Sequence, residues 1–252
     1  MGSWVFQLST ESLGVIANRL TLVQEHEYLT GRVPGRDGVI PLISSLNERR
    51  ISWSGIISAT SAGALQTKID SLQSLLWGAG ACELQLKLHD DRHLNCQVVG
   101  FDIEPVEGTA ASVARLKCTL VAPDPYFINN TSFSAVNCVA SGSSVLSFSL
   151  VNTGTALTPF LLRFTPRSGT HIGAARLDNL TTGRRLEITT AVSFNNEIIV
   201  RITSFTATNS AGGSLLSNFT GEFWRLNPGS NSLVFQGSAC NVTIEFNPRH
   251  TL

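Results

Sequence analysis

Charge is scarce in this 252-residue chain: Asp, Glu, Lys and Arg together make up 14% of it. That scarcity, beside abundant Ser, Thr, Asn and Gly, excludes a coiled coil and a charge-swollen disordered chain. It fits a β-rich protein with many turns. Lysine is confined to Lys68, Lys87 and Lys117. Basic and acidic residues balance at 18 each; residues 1–128 hold 10 bases and 13 acids (−3), and residues 129–252 hold 8 and 5 (+3). Neither half has a basic stripe able to neutralise many phosphates, which excludes sequence-specific nucleic-acid binding. No apolar run approaches the ~20 residues that span a bilayer. The start, Met1-Gly2-Ser3-Trp4-Val5-Phe6, lacks the basic segment and apolar block of a signal peptide. The expectation is a product made in a cytoplasm and left unprocessed. Cysteine is sparse, at 82, 96, 118, 138 and 240. An odd number at wide spacing suggests neither a disulfide framework nor a zinc site. Cys96, Cys118 and Cys240 fall at strand positions suited to small buried apolar groups. Sequons begin at Asn129, Asn130, Asn179, Asn218 and Asn241, and chance suffices to explain them in so Asn- and Thr-rich a chain.

What is present is period-2 alternation. Ile51, Trp53, Gly55 and Ile57 share one face of a strand. Leu65, Ile69, Leu72 and Leu76 then follow at helical spacing, behind Thr60 or Ser61 as a cap and ahead of Gly78 and Gly80 as a stop. This predicts one helix over 61–77 with a one-sided stripe that lies on a sheet. Leu84, Leu86 and Leu88 lead into a polar turn, His89-Asp90-Asp91-Arg92-His93, and Leu94, Cys96 and Val98 return. The inward parity then changes to Val99, Phe101 and Ile103, which predicts a β-bulge near Val99-Gly100. Ala114, Leu116, Cys118 and Leu120 form a further strand, ended by Ala122-Pro123-Asp124-Pro125-Tyr126.

Beyond that double-proline segment the helical signal stops. A domain boundary is expected near 128, giving domains 1–128 and 129–252. Leu146/Phe148/Leu150, Phe160/Leu162/Phe164, Ile198/Val200/Ile202 and Cys240/Val242/Ile244/Phe246 read as strands separated by turns. Strands at such spacing without helices indicate an antiparallel sandwich or jelly roll. The expected fold class is therefore mainly β: an N-terminal β-sandwich with one helix and a C-terminal β-sandwich.

No residue set suggests catalysis. The chain has no Gly-x-Ser-x-Gly elbow, Walker loop or dinucleotide fingerprint. His89 and His93 with Asp90 and Asp91 read as a hairpin turn in preference to a metal cluster. Glu104 and Glu107 flank a proline in a loop. No cofactor or metal is expected. One binding alternative stays open: Trp224 with Arg225, Glu222 and Asn227 has the residue types of a sugar site. The same run, entering Asn227-Pro228-Gly229, also reads as a strand passing into a turn with Trp224 packed.

Several blocks together resemble the siphophage distal tail proteins. They are Trp53-x-Gly55-x-Ile57 with the helix carrying Leu72, Leu75 and Leu76; the strand ending in Ala122-Pro123-Asp124-Pro125-Tyr126-Phe127; Asn152-Thr153-Gly154-Thr155-Ala156-Leu157-Thr158-Pro159; Leu180-Thr181-Thr182-Gly183; and Phe223-Trp224-Arg225-Leu226-Asn227-Pro228-Gly229-Ser230-Asn231 with the closing strand at 240–246. The resemblance implies an N-terminal, tail-tube-like ring-forming domain and a galectin-like C-terminal sandwich outside the ring. It implies a homo-hexamer at the distal end of the virion tail. That ring would join the tail tube protein to tail-tip or baseplate hub proteins. DNA and the tape-measure protein would pass through its lumen without specific binding. Family members with inserted carbohydrate-binding modules are longer than this chain. Subunit contacts are expected from exposed loops, at Arg32, Arg36, Asp37, Asp90, Asp91 and Arg92. A carbohydrate-binding module and a tail-tube subunit remain as competing readings.

Overall fold

The computed structural model describes residues 5–6, 15–31, 40–78, 81–85, 91–108, 112–138, 145–167, 172–192 and 196–251. The chain divides into two compact units, Met1–Phe127 and Ile128–Leu252.

The first unit contains β1 (Val5–Phe6), β2 (Val15–Gly31), β3 (Ile40–Ser58), α1 (Ala62–Gly78), β4 (Ala81–Gln85), β5 (Arg92–Pro105) and β6 (Val113–Ala122). Its strands run in the order β1-β4-β5-β6-β3-β2. Neighbours are antiparallel except β1 with β4. Alternation in β3 buries Ile51, Trp53 and Ile57, because successive side chains of a strand point to opposite faces. Helix α1 covers that face with the expected stripe, and Leu65, Ile69, Leu72 and Leu76 are all buried in the same cluster. Burying each such side chain contributes about 1.5–3 kcal/mol. The Oγ of Ser61 accepts from the Ala64 N–H at 3.2 Å, so Ser61 is the cap.

The pairing of β5 with β6 shifts register between Val98 and Gly100. This is the bulge that the change of parity requires. One detail differs from expectation. Val99 is the extra residue and is 55% exposed, while Phe101 and Ile103 pack against the core. A residue inserted into one strand has no opposite number, so nothing draws it inward. Two residues expected in the turn before β5 are placed differently. Arg92 and His93 already belong to the strand, and His93 pairs with Gln85.

After β7 (Phe127–Asn129), which starts at the last residue of the first unit, the second unit holds β8 (Phe133–Cys138), β9 (Val145–Asn152), β10 (Leu161–Pro166), β11 (Ile172–Asn179), β12 (Arg184–Val192), β13 (Ile198–Arg201), β14 (Thr206–Asn209), a 3-10 turn at Leu216–Asn218, β15 (Phe219–Gly221), β16 (Gly229–Gly237), β17 (Cys240–Phe246) and β18 (Arg249–His250). Two five-stranded antiparallel sheets result, ordered β14-β13-β10-β17-β8 and β15-β12-β11-β16-β9. Their inner faces share one core. Leu162, Phe164, Val242 and Ile244 come from the first sheet, and Leu177, Ile188, Leu233 and Phe235 from the second. The rings of Phe164 and Phe235 meet across it at 5.4 Å. Cys96, Cys118 and Cys240 are buried in the two cores.

Candidate interaction surfaces

Three buried asparagines organise the turns around residues 226–231 of the second unit. Asn152 ends β9. Its Nδ2 donates to the Ala156 carbonyl at 3.2 Å and to Thr158 Oγ1 at 3.1 Å, and its Oδ1 accepts from the Gly154 N–H at 3.0 Å. Thr158 and Leu226 exchange backbone hydrogen bonds at 3.0 and 2.8 Å. Asn179 ends β11, and its Oδ1 accepts from the Thr181 and Thr182 N–H groups at 3.0 and 3.3 Å. This Asx turn leaves Leu180 63% exposed. Asn179 is also one of the sequons, and its burial within the fold explains its presence without a glycan.

Beside these turns lies a groove of about 460 Å³. Leu157, Phe205 and Phe223 supply its apolar lining, and Thr182, Arg184, Arg225 and Asn227 complete it. Phe223 is stacked on Phe219 at 4.2 Å and meets Phe205 edge-on at 5.7 Å. Phe205 is 56% exposed, at the end of the β13–β14 turn, with φ +54°. Among the described residues it is the one non-glycine with positive φ. Arg184 reaches Glu222 at 3.6 Å. In the adjoining polar surface the side-chain hydrogen bond from Arg176 to Asp178, 3.0 Å long, holds the guanidinium pKa above its usual value.

The residues of the alternative sugar reading do not form a platform. Glu222 and Arg225 are exposed, but Trp224 is fully buried and packs on Phe160 at 4.7 Å between ring centroids. Trp224 therefore has no surface to offer a sugar, and it belongs to the core. The alternation that puts Trp224 and Leu226 inward explains why. Phe205, seventeen or more residues from that run, was missed from the sequence. Its only signal is a bulky residue at the end of a hairpin turn, where Gly or Asn is usual.

Of the expected subunit contacts, Arg32, Arg36, Asp37 and Asp90 lie outside the described residues. Asp91 and Arg92 are neighbours at 3.8 Å, with Arg92 mostly covered and Asp91 59% exposed. Among the described residues no three His, Cys, Asp or Glu side chains converge as a metal site.

Sheet edges form the remaining surface. In the first unit β2 is an edge strand of 17 residues, paired on one side to β3. In the second unit the edges differ in length. β14 and β15 have four and three residues, while β8 and β9 have six and eight and carry no charged side chain.

Residues 1–121 match the phage tail protein RIFT-related domain, and residues 153–250 match the siphovirus-type tail component, C-terminal domain. The chain belongs to the siphophage distal tail proteins. Its fold is also that of a solved structure, the Dit protein (gp 19.1) of phage SPP1, described as a paradigm of hub adsorption apparatus in phages that infect Gram-positive hosts. The two share 15% identity over 94% of each chain, with a TM-score of 0.73. A chain of the phage P2 baseplate, in its activated conformation with calcium, gives a TM-score of 0.41 at 9% identity, over 92% of this chain and 90% of that one. No curated protein matches the chain.

As a distal tail protein the chain is a structural component of a phage tail or baseplate hub. The blocks that carry the family resemblance in its second unit are therefore architectural. A Cβ at Gly154 would stand 2.3 Å from the Arg249 carbonyl. Gly183 closes the Asx turn at φ +70°, and Asn231 Nδ2 donates to the carbonyls of Asn227 and Gly229.

Proposed function

We propose that six copies of this distal tail protein close into a ring at the distal end of the virion tail. Residues 1–128 form the ring, and residues 129–252, a galectin-like sandwich, stand outside it. The ring joins the tail tube protein to tail-tip or baseplate hub proteins. DNA and the tape-measure protein pass through the lumen, and the −3 charge of the N-terminal half, turned inward, keeps DNA from sticking.

One observation carries the reading. A 17-residue edge strand, β2, ends the first sheet, and the opposite edge is the two-residue β1. A long open edge is a pairing template that soluble monomers avoid. Rotational symmetry lets each copy cover its neighbour's edge and stops growth at a fixed number. Residues 32–39 connect β2 to β3, and Arg32, Arg36 and Asp37 among them would reach the neighbouring copy, as would Asp90, Asp91 and, at the start of β5, Arg92.

Native mass spectrometry and negative-stain imaging of the full chain test this. A species of six 27.1 kDa subunits with an open centre is expected. Monomers alone at high concentration, or stacked tubes of indefinite length, would overturn it.

A further inference from the structure

We propose that the groove between Phe205, Phe223 and Leu157 binds a segment of another polypeptide in which an aliphatic or aromatic side chain stands next to a carboxylate. The inference goes beyond the ring, since a lone subunit would carry the same groove.

Three observations converge on it. First, Phe205 is held in left-handed backbone, φ +54°, and is still 56% exposed. Folding alone favours glycine or asparagine at such a position, and strained, exposed residues cluster at ligand clamps. Second, Phe205 is not a stray apolar group. It meets Phe223 at 90° and 5.7 Å, Phe223 stacks on Phe219, and 46%-exposed Leu157 closes the other side. The groove is the size of a pocket for a few side chains. Third, its ionised lining residues are Arg184 and Arg225, both cationic. Glu222, the carboxylate on Arg184, lies 3.6 Å away, and both partners are more than half exposed. Such a pair is weak and exchangeable. An incoming carboxylate can take Arg184 over, or bind Arg225, with bidentate geometry.

A glycan fits less well. Phe223 spends one face on Phe219, at an interplanar angle of 8°, so no broad flat platform is left there. Neutral polar lining is limited to Thr182 and Asn227, and the Thr182 Oγ1 already accepts from the Arg184 N–H at 3.4 Å. A ring of sugar hydroxyls would find few partners.

The test pans a random dodecapeptide library against the immobilised full chain, with F205G and R225E as parallel baits and oligogalacturonate as a sugar probe. F205G puts glycine where the backbone suits it, so it should keep the circular dichroism and melting midpoint of the parent. Enriched peptides that place Asp or Glu beside Leu, Ile, Phe or Trp, and that bind each variant about tenfold more weakly, are the expected result. No enrichment, peptides without an acidic residue, or peptides that both variants hold as tightly as the parent does would overturn the proposal. Oligogalacturonate bound by the parent and lost from both variants, with no peptide selected, would assign the groove to sugar acids and overturn it too.

Discussion

The side-chain amide of Asn179 donates to Oδ1 of Asn231 at 3.3 Å, joining the end of β11 to the start of β16. Both residues are buried, so each polar atom needs a partner. Asn231 Oδ1 also accepts from the Asn227 N–H at 3.0 Å, and its Nδ2 donates to two carbonyls. Replacing it by alanine strands four groups at once. Asn231→Ala is expected to lower stability by about 2–4 kcal/mol, at 1–3 kcal/mol for each buried group left unpaired and with some groups reached by water. Hydrogen exchange at the Asn227 amide should accelerate, and unchanged exchange there would refute the clamp.

Two glycines should respond in opposite directions. At Gly154 a Cβ meets the Arg249 carbonyl at 2.3 Å and its N–H at 2.8 Å, both backbone atoms that cannot swing aside. Gly154→Ala should cost about 2–4 kcal/mol through forced backbone movement. At Gly63, in the first turn of α1, a Cβ meets nothing within 4 Å. Gly63→Ala should add about 0.5–1 kcal/mol by restricting the unfolded chain. Thermal melts of both variants beside the parent check the pair.

Trp224 gives a third expectation. It is buried against Phe160 in the core of the sandwich. Trp224→Ala should cost about 3–5 kcal/mol, as large aromatic truncations in cores do. A glycan array should show no signal for the parent that the variant loses. Selective loss of sugar binding with stability intact would restore the carbohydrate reading.

The alternation of apolar residues made most of the fold legible. The α1 stripe, the β5 bulge and the inward faces of β3, β6, β10, β13 and β17 all follow from one rule, that a strand buries every second residue and a helix every third or fourth. Val99 escaped because parity locates a bulge without saying which residue is extra. The groove escaped for a different reason. Leu157, Thr182, Phe205 and Phe223 are far apart in sequence and meet only through turn geometry. Trp224 drew attention by its type, yet its neighbours Phe223 and Arg225 are the residues that reach the groove.

Arg49 lay in plain view of the same alternation. It shares the inward face of β3 with Ile51 and Trp53, and it is buried with its guanidinium 4.9 Å from the centre of the Phe127 ring. Burial pushes its pKa down from the usual arginine value. Arg50, one step along the strand, is exposed and bonds Glu48 at 2.8 Å. Lysine keeps the charge at position 49 but loses the flat face that stacks on the ring. Arg49→Lys should therefore destabilise the first unit by about 1–2 kcal/mol, whereas Arg50→Lys should be near neutral. Equal effects in chemical denaturation would contradict the stacking.

The edge of β9 supports the last prediction. Its sequence, Val145 to Asn152, contains no charge and no proline, and its pairing with β16 runs unbroken over eight residues. Val145 and Val151 are 50% and 52% exposed on it. Proteins guard such edges with lysine, proline or a bulge, and this strand has none of them. Lysine at both positions leaves the core untouched, since neither side chain points into it. V145K/V151K should then melt within about 0.5 kcal/mol of the parent while scattering less light at high concentration. If the double variant aggregates as the parent does, the β9 edge is not the surface through which copies of the isolated chain associate.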